Sequence, residues 1–270
     1  MAALSNTSAP NDLHRVQKLV TFAKMDSTFS QLGPVHYLPI LSTIFSLFFL
    51  YQILRRYLAK GGTHLLWWSI GVFTYGLGTF LESLITLTGN SPVKNKLWYV
   101  AGAILGGYPL AQGSVYLHMR KSRANILSAI TVPFIIFASV CVFLSPVNID
   151  AMESFRPSGA ILEWHWVRLL TPFINTYSVI FLIGSAAYSA IRWTRIENGK
   201  NRAIGNTLIT IGAILPGIGG IMARAGVVEA LYIGEFIGII LIWTGYRYCL
   251  RDNWSANTYA RPVEAEVANV

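Results

Sequence analysis

The stretch that decides the fold is residues 124–146, which read ANILSAITVPFIIFASVCVFLSP and contain no Asp, Glu, Lys or Arg. A helix needs about 20 mostly apolar residues to cross the hydrocarbon core of a bilayer, and this stretch supplies them. Its apolar run is continuous rather than alternating, which favours a helix over a strand of a membrane barrel. The sequence therefore predicts a transmembrane helix here.

Six similar stretches surround it, at 37–54, 64–88, 97–118, 168–191, 203–226 and 229–250. Together they predict an all-α, polytopic membrane bundle of seven transmembrane helices over residues 37–250, with an N-terminal tail (1–36) and a C-terminal tail (251–270). Of all residues, 53% are hydrophobic and 12% are charged, whereas a typical soluble domain carries about 25% charged residues. This balance argues against a soluble enzyme and against a free nucleic-acid binder.

The basic residues are divided unequally between the two ends of these helices. One end collects 13 of the 21 Lys and Arg residues and has a net charge of +9, whereas the other end has a net charge of zero. Cytoplasmic loops of membrane proteins carry an excess of Lys and Arg, so the N-terminus is predicted outside and the C-terminus in the cytoplasm. The excess charge then attracts anionic membrane lipid, and no nucleic-acid partner is needed to explain it.

A weak internal similarity relates the first and fifth spans. Pro, Thr and Phe match in register, at Pro39, Thr43 and Phe48 and at Pro172, Thr176 and Phe181. The match predicts three helices, one linker helix and three helices again, both triplets starting outside. Parallel repeats of this kind occur among membrane transporters.

Ionisable groups inside a bilayer are costly and usually have a role, so the deep acids mark a candidate site. Glu82 lies near the outer end of span two, Glu235 about two turns into span seven, and Arg224 at the end of span six. These three are expected to form an outer-half cluster with Tyr75 and Tyr99. Three interpretations remain open. The groups can form an Arg–Glu pair that only holds helices together, or a ligand or proton site in which one carboxylate lacks a partner. In the third, Arg224 and Glu229 only extend to the outer headgroups.

Tyr108 and Gln112 of span three belong to a second, deeper polar set and complete the predicted ligand-binding residues. Such groups can form hydrogen bonds between helices, or they can line a cavity near the middle of the bilayer. The sequence does not decide between these two interpretations.

Several kinds of membrane protein do not fit the residues present. The five histidines lie at span ends or in loops on both faces, so no metal site is predicted. A retinal protein needs a lysine in its last helix, and residues 229–250 contain none. No cofactor is predicted, and an enzyme is not favoured, because only the same glutamates could supply an acid–base pair.

Three segments carry a resemblance to a known group of proteins. They are Trp98-Tyr99-x-x-Gly102-Ala103, Gly205-Asn206-x-Leu208-Ile209-x-x-Gly212-Ala213 and Gly219-Gly220-x-x-Ala223-Arg224. The pattern resembles that of uncharacterised bacterial seven-helix integral membrane proteins, which implies a location in the bacterial inner membrane. The layout is also similar to PQ-loop transporters and, in helix count, to rhodopsin-like bundles, although spans one and five lack the Pro-Gln pair.

These observations predict a protein that binds or transports a small, amphipathic solute through an outer-half Glu/Arg site. The alternative is a ligand sensor, or an assembly subunit of a membrane complex that meets a protein partner through its basic cytoplasmic loops.

Overall fold

The computed structural model describes residues 33–251, and within this range the chain is helical apart from short connections and the loop from 145 to 164. The all-α prediction is therefore confirmed for these residues. The predicted N-terminal tail (1–36) lies outside the described residues except for 33–36, and Arg251 alone is described of the predicted C-terminal tail (251–270).

The described part of the chain forms α1 (Leu38–Lys60), α2 (Thr63–Thr88), α3 (Pro92–Trp98), α4 (Tyr108–His118), α5 (Lys121–Leu144), α6 (His165–Ser178), α7 (Ser185–Thr194), α8 (Lys200–Arg224) and α9 (Glu229–Cys249). A π-helix, Tyr99–Ile104, continues α3, and a second, Val179–Gly184, joins α6 to α7. Short 3-10 turns lie at Pro34–Tyr37 and Gly159–Ile161.

Six helical stretches of the described chain are long and apolar enough to cross a membrane. They are Pro34–Lys60, Thr63–Thr88, Lys121–Leu144, His165–Thr194, Lys200–Arg224 and Glu229–Cys249. Each of them overlaps one of the predicted spans. Their length and composition indicate an integral membrane protein.

The remaining predicted span, 97–118, differs from the expectation because it is not one continuous helix. The π-helix ends at Ile104, a turn covers residues 105–107, and α4 begins at Tyr108. Two consecutive glycines, Gly106 and Gly107, have low helix propensity. Pro109 follows in the first turn of α4, where its missing N–H leaves no helical hydrogen bond unmade. The local sequence thus favours ending one helix and starting another.

We call residues 97–118 the broken segment, and it nevertheless runs antiparallel along most of α2. Trp98 reaches Glu82 near one end of α2, and a methyl group at Gly78 would place its carbon 3.4 Å from the Cα atom of Gly102. Farther along, Leu110 fills the space beside Gly71, and beyond it Trp68 packs against Gly113. The helix α2 is buried along most of its length as a result.

The helices α8 and α9 form an antiparallel hairpin in which glycines bring the two backbones together. We call these residues the glycine seam: Gly205, Gly212 and Gly219 of α8, with Gly234, Gly238 and Gly245 of α9. A methyl group at Gly212 would place its carbon 2.6 Å from the Gly238 carbonyl oxygen, and one at Gly234 would come 2.8 Å from the Leu215 oxygen. Small residues allow this close approach of two membrane helices. Pro216 does not interrupt α8.

Polar and apolar side chains are distributed as expected for a protein surrounded by lipid. Polar side chains such as Ser42, Ser46 and Gln112 are buried between the helices. Large apolar side chains are exposed on the outer faces, among them Ile44 and Leu47 of α1, Ile130 and Phe137 of α5, and Leu169 and Phe173 of α6. Apolar surface of this extent is typical of a membrane-contacting protein.

Candidate functional site

The candidate site begins with Glu82, which lies in the last two turns of α2. Gly71, Tyr75, Gly78 and Glu82 share one face of that helix because they follow at intervals of four, three and four residues. This face is turned inward, and only 1% of the Glu82 surface is exposed. The close contacts of Gly71 and Gly78 with the broken segment bring that segment against the carboxyl group.

Glu235 is half-buried on the inward face of α9, beside the buried side chains of Tyr232, Ile239 and Tyr246. The carboxyl groups of Glu235 and Glu82 are within hydrogen-bonding contact of each other. We call these two groups the glutamate pair. The pair joins the end of α2 to the first two turns of α9, as the sequence predicted for these two residues.

Two hydrogen bonds from aromatic side chains hold the glutamate pair in place. Trp98 donates from Nε1 to Oε1 of Glu82 over 2.7 Å. Tyr75 donates from its hydroxyl to the backbone carbonyl of Glu235, also over 2.7 Å. Trp98 is the last residue of α3, so the first of these bonds lies where the π-helix begins.

The pair has carboxyl oxygens that the surrounding protein does not satisfy. Oε2 of Glu82 and Oε2 of Glu235 are both buried, and neither accepts a hydrogen bond from an N–H or O–H group of residues 33–251. No ion pair within the same range joins either glutamate to a Lys, Arg or His. Two ionised carboxylates this close repel each other and have no hydrogen to donate, so one proton between them would stabilise the pair. The arrangement can therefore hold a proton or, in its place, another cation.

Arg224 does not join the glutamate pair, contrary to the predicted cluster. Its side chain is exposed at the end of α8, and it forms no ion pair with a described acidic residue. The reason is helical phase, because the preceding residue, Ala223, faces inward and is buried. A different cation, Arg156, reaches this end of α8 and donates a hydrogen bond of 2.8 Å to the Ala223 carbonyl.

Tyr99 also lies apart from the pair. Its hydroxyl is 2.8 Å from Oγ1 of Thr171 on α6, and its ring is buried against Gly159. Because Trp98 and Tyr99 are neighbours in a helix, their side chains point in directions about 100° apart. Trp98 therefore reaches Glu82, and Tyr99 reaches α6.

Sequence reasoning missed two members of the site. For Trp98, the N–H donor of its indole ring was the only signal of this role in the sequence. Tyr232 is fully buried three residues before Glu235 and interacts electrostatically with both glutamates and with Arg156. Its spacing of three residues from Glu235 on a predicted helix could have placed it on the same face.

Tyr108 and Gln112 belong to a separate polar network between α4, α5 and α6. Gln112 accepts a hydrogen bond from the hydroxyl of Tyr177, and its Nε2 donates to Oγ of Ser128 over 2.7 Å. The Tyr108 hydroxyl is 2.7 Å from Oγ1 of Thr131. The oxygen and the nitrogen of the Gln112 side-chain amide thus each have a partner on another helix. This fits the hydrogen-bonding interpretation left open by the sequence.

Comparison of the chain with protein-family models, with curated proteins and with solved structures found no match. Within the described residues, no three His, Cys, Asp or Glu side chains come together as a metal site would require.

Proposed function

We propose that this chain is an integral membrane protein that binds a small, amphipathic cation at the glutamate pair and transports it in exchange for a proton. The observation that carries the proposal is a pair of adjoining carboxyl groups, each with a buried and unsatisfied oxygen and neither with a cationic partner among the described residues. Ionisable groups within a membrane are retained where they serve a substrate or a proton pathway. The predicted Glu/Arg site is revised accordingly, and Arg224 is left out of it.

The side chains around the pair support a solute that is both cationic and apolar. Tyr75 and Trp98 donate to the two glutamates, and the Tyr232 ring is buried beside them. Aromatic rings attract cations through their negatively charged faces. A solute with one cationic group and an apolar body could contact the carboxyl groups and these rings together.

The backbone near the site supports transport rather than static packing. The π-helix Tyr99–Ile104 and the turn at 105–107 interrupt the segment that carries Trp98. Interrupted helices line the substrate sites of many transporters, because irregular backbone inside a membrane is tolerated where protein or a cavity surrounds it. A change in the backbone conformation of this segment would move Trp98 and so alter its hydrogen bond to Glu82.

The proposal includes seven crossings, with the broken segment as the third. Its antiparallel course along α2 supports this count, because α2 is itself long enough to cross a membrane. Seven crossings place the N-terminus and the C-terminus on opposite sides. The excess of Lys and Arg at one end then supports an outside N-terminus, and the resemblance supports the bacterial inner membrane.

Binding can be tested with octyltrimethylammonium, a permanently charged amphipathic cation, on the full chain in phosphatidylcholine nanodiscs. At tenfold excess over its Kd, the ligand should stabilise the protein by about 1.4 kcal/mol, which appears as a higher melting temperature. Glu82→Gln and Glu235→Gln should each abolish this shift, because each leaves at most one ionised carboxyl. Proteoliposome uptake of the same cation, driven by an imposed proton gradient, tests transport.

Glu229→Gln is the matched control, because Glu229 lies on the same helix as Glu235 but is exposed at its first turn. This variant should keep the shift, and octanesulfonate should produce none in any variant. A cation-induced shift that persists in both Glu82→Gln and Glu235→Gln would refute the assignment of the site. If the wild-type protein shows no shift at all, the assembly-subunit hypothesis is favoured instead.

A further inference from the structure

Arg56 occupies an unusual position on the inward face of α1. The buried residues of that face follow at helical intervals, from Ser42 and Ser46 through Phe49 to Ile53. Arg56 is the next residue on the same face, one turn before the helix ends at Lys60. A guanidinium is therefore directed toward the neighbouring helices at the end of the bundle where the basic loops lie.

Arg56 approaches the hydroxyl of Tyr246, a residue of α9 with 7% of its surface exposed. The Tyr246 ring packs against Phe49, with ring centroids 5.6 Å apart. Its hydroxyl is buried and makes no hydrogen bond of normal geometry within residues 33–251. Arginine can only donate, so Arg56 cannot accept the hydrogen of this hydroxyl. The phenol O–H therefore lacks an acceptor among these residues.

The neighbourhood is also cationic. Arg247 follows Tyr246 on α9 and is exposed, but it still acts electrostatically on the Tyr246 hydroxyl. Arg56 is close enough to act electrostatically on His64 at the start of α2. Neither arginine forms an ion pair with a carboxylate in the described part of the chain. The ends of α1 and α9 thus place the Arg56 guanidinium beside a buried O–H donor, with a second, exposed positive charge at Arg247, and no described acid forms an ion pair with either arginine.

We propose that Arg56 and Tyr246 form a binding site for a phosphate group, with the exposed charge of Arg247 nearby. A phosphate oxygen could accept the Tyr246 hydrogen and a hydrogen bond from the Arg56 guanidinium together, which would satisfy both groups. Basic pockets between membrane helices bind anionic lipid headgroups in this way, and Arg56 lies only about 6 Å along the axis from the end of α1. The phosphate diester of an anionic lipid and free inorganic phosphate are the two sources of this chemistry.

The test measures binding of phosphatidylglycerol to the full chain in detergent by native mass spectrometry, with phosphatidylcholine as the zwitterionic reference. A parallel arm measures binding of inorganic phosphate by isothermal titration. Arg56→Gln should weaken binding by about tenfold or more, as expected for the loss of a hydrogen bond between charged groups. Tyr246→Phe keeps the ring against Phe49, so the fold is retained, and should weaken binding about fivefold.

Arg55→Gln is the matched control, because it removes the same charge one residue away, from an exposed side chain. It should leave binding unchanged within about twofold, since only diffuse attraction to the surface is lost. Binding of phosphatidylglycerol alone, dependent on Arg56, identifies a lipid site, and Arg56-dependent binding of inorganic phosphate identifies a soluble ligand. Equal effects of Arg55→Gln and Arg56→Gln, or no preference of the wild-type protein for either phosphate compound over phosphatidylcholine, would overturn the proposal.

Discussion

Replacing Gly212 by alanine tests whether the glycine seam sets the distance between α8 and α9. The added carbon would lie 2.6 Å from the Gly238 carbonyl oxygen and 2.9 Å from Cβ of Leu241. Ordinary contact between such atoms begins near 3.5 Å, so the helices must separate locally by roughly 1 Å. Inserting a methyl group into a well-packed interface costs about 1–3 kcal/mol.

Gly217→Ala is the control on the same helix, because no atom of the described part of the chain lies within 4 Å of a methyl group at Gly217. Both substitutions gain helix propensity, worth up to about 1 kcal/mol, and this gain cancels in the comparison. Gly212→Ala should therefore be less stable than Gly217→Ala by about 1–3 kcal/mol, which is the overpacking cost alone. The free energy of unfolding can be measured by titrating dodecyl maltoside micelles with sodium dodecyl sulfate while recording tryptophan fluorescence. Equal stability of the two variants would show that the close backbone contact of α8 and α9 is absent in the protein.

Three further substitutions or fusions test other parts of the structure. Tyr75→Phe should lower the free energy of unfolding by about 0.5–1.5 kcal/mol, because the Glu235 carbonyl loses a buried donor, whereas Tyr51→Phe on the exposed face of α1 should change it little; equal effects would contradict the contact. Gln112→Leu should cost about 1–3 kcal/mol in the same unfolding assay, since its buried partners lose their hydrogen bonds, and a neutral result would show that the network does not stabilise the bundle. Alkaline phosphatase fused after Val270 should be inactive and green fluorescent protein fused there should fluoresce, because the C-terminus is proposed to be cytoplasmic; the reverse pair of results would invert the topology.

The long helices could be predicted because membrane spans leave a strong signal in sequence. Residues 124–146 carry no Asp, Glu, Lys or Arg, and a helix follows almost necessarily from that run in a bilayer. The break at 105–107 was harder to predict, since Gly106, Gly107 and Pro109 are each tolerated inside membrane helices elsewhere. Hydropathy averaged over a window of about 19 residues does not register a three-residue turn.

The site could be predicted only in part, because hydropathy gives depth and helical spacing gives a face, whereas neither gives the rotation of one helix against another. Depth and spacing were sufficient for Glu82, Tyr75 and Glu235, which the structure brings together. Arg224 lies at a suitable depth but faces outward. Tyr99 is one residue from Trp98, and that single step assigns it to α6 instead of the glutamate pair. Such differences of about 100° depend on tertiary packing.

The close contact between α8 and α9 also determines how the glutamate pair could open. The glycines of α8 that face α9 extend from Gly205 to Gly219, which corresponds to about 21 Å of helix. Over that length the two helices interlock through backbone atoms, and so they would move as one rigid body. Glu235 is part of that body, whereas Glu82 belongs to α2. Separating the two carboxyl groups would therefore displace the α7–α8 connection and the end of α9 at the opposite end of the bundle. Opening of the glutamate pair near one end of the helices would then be coupled to a movement at the other end.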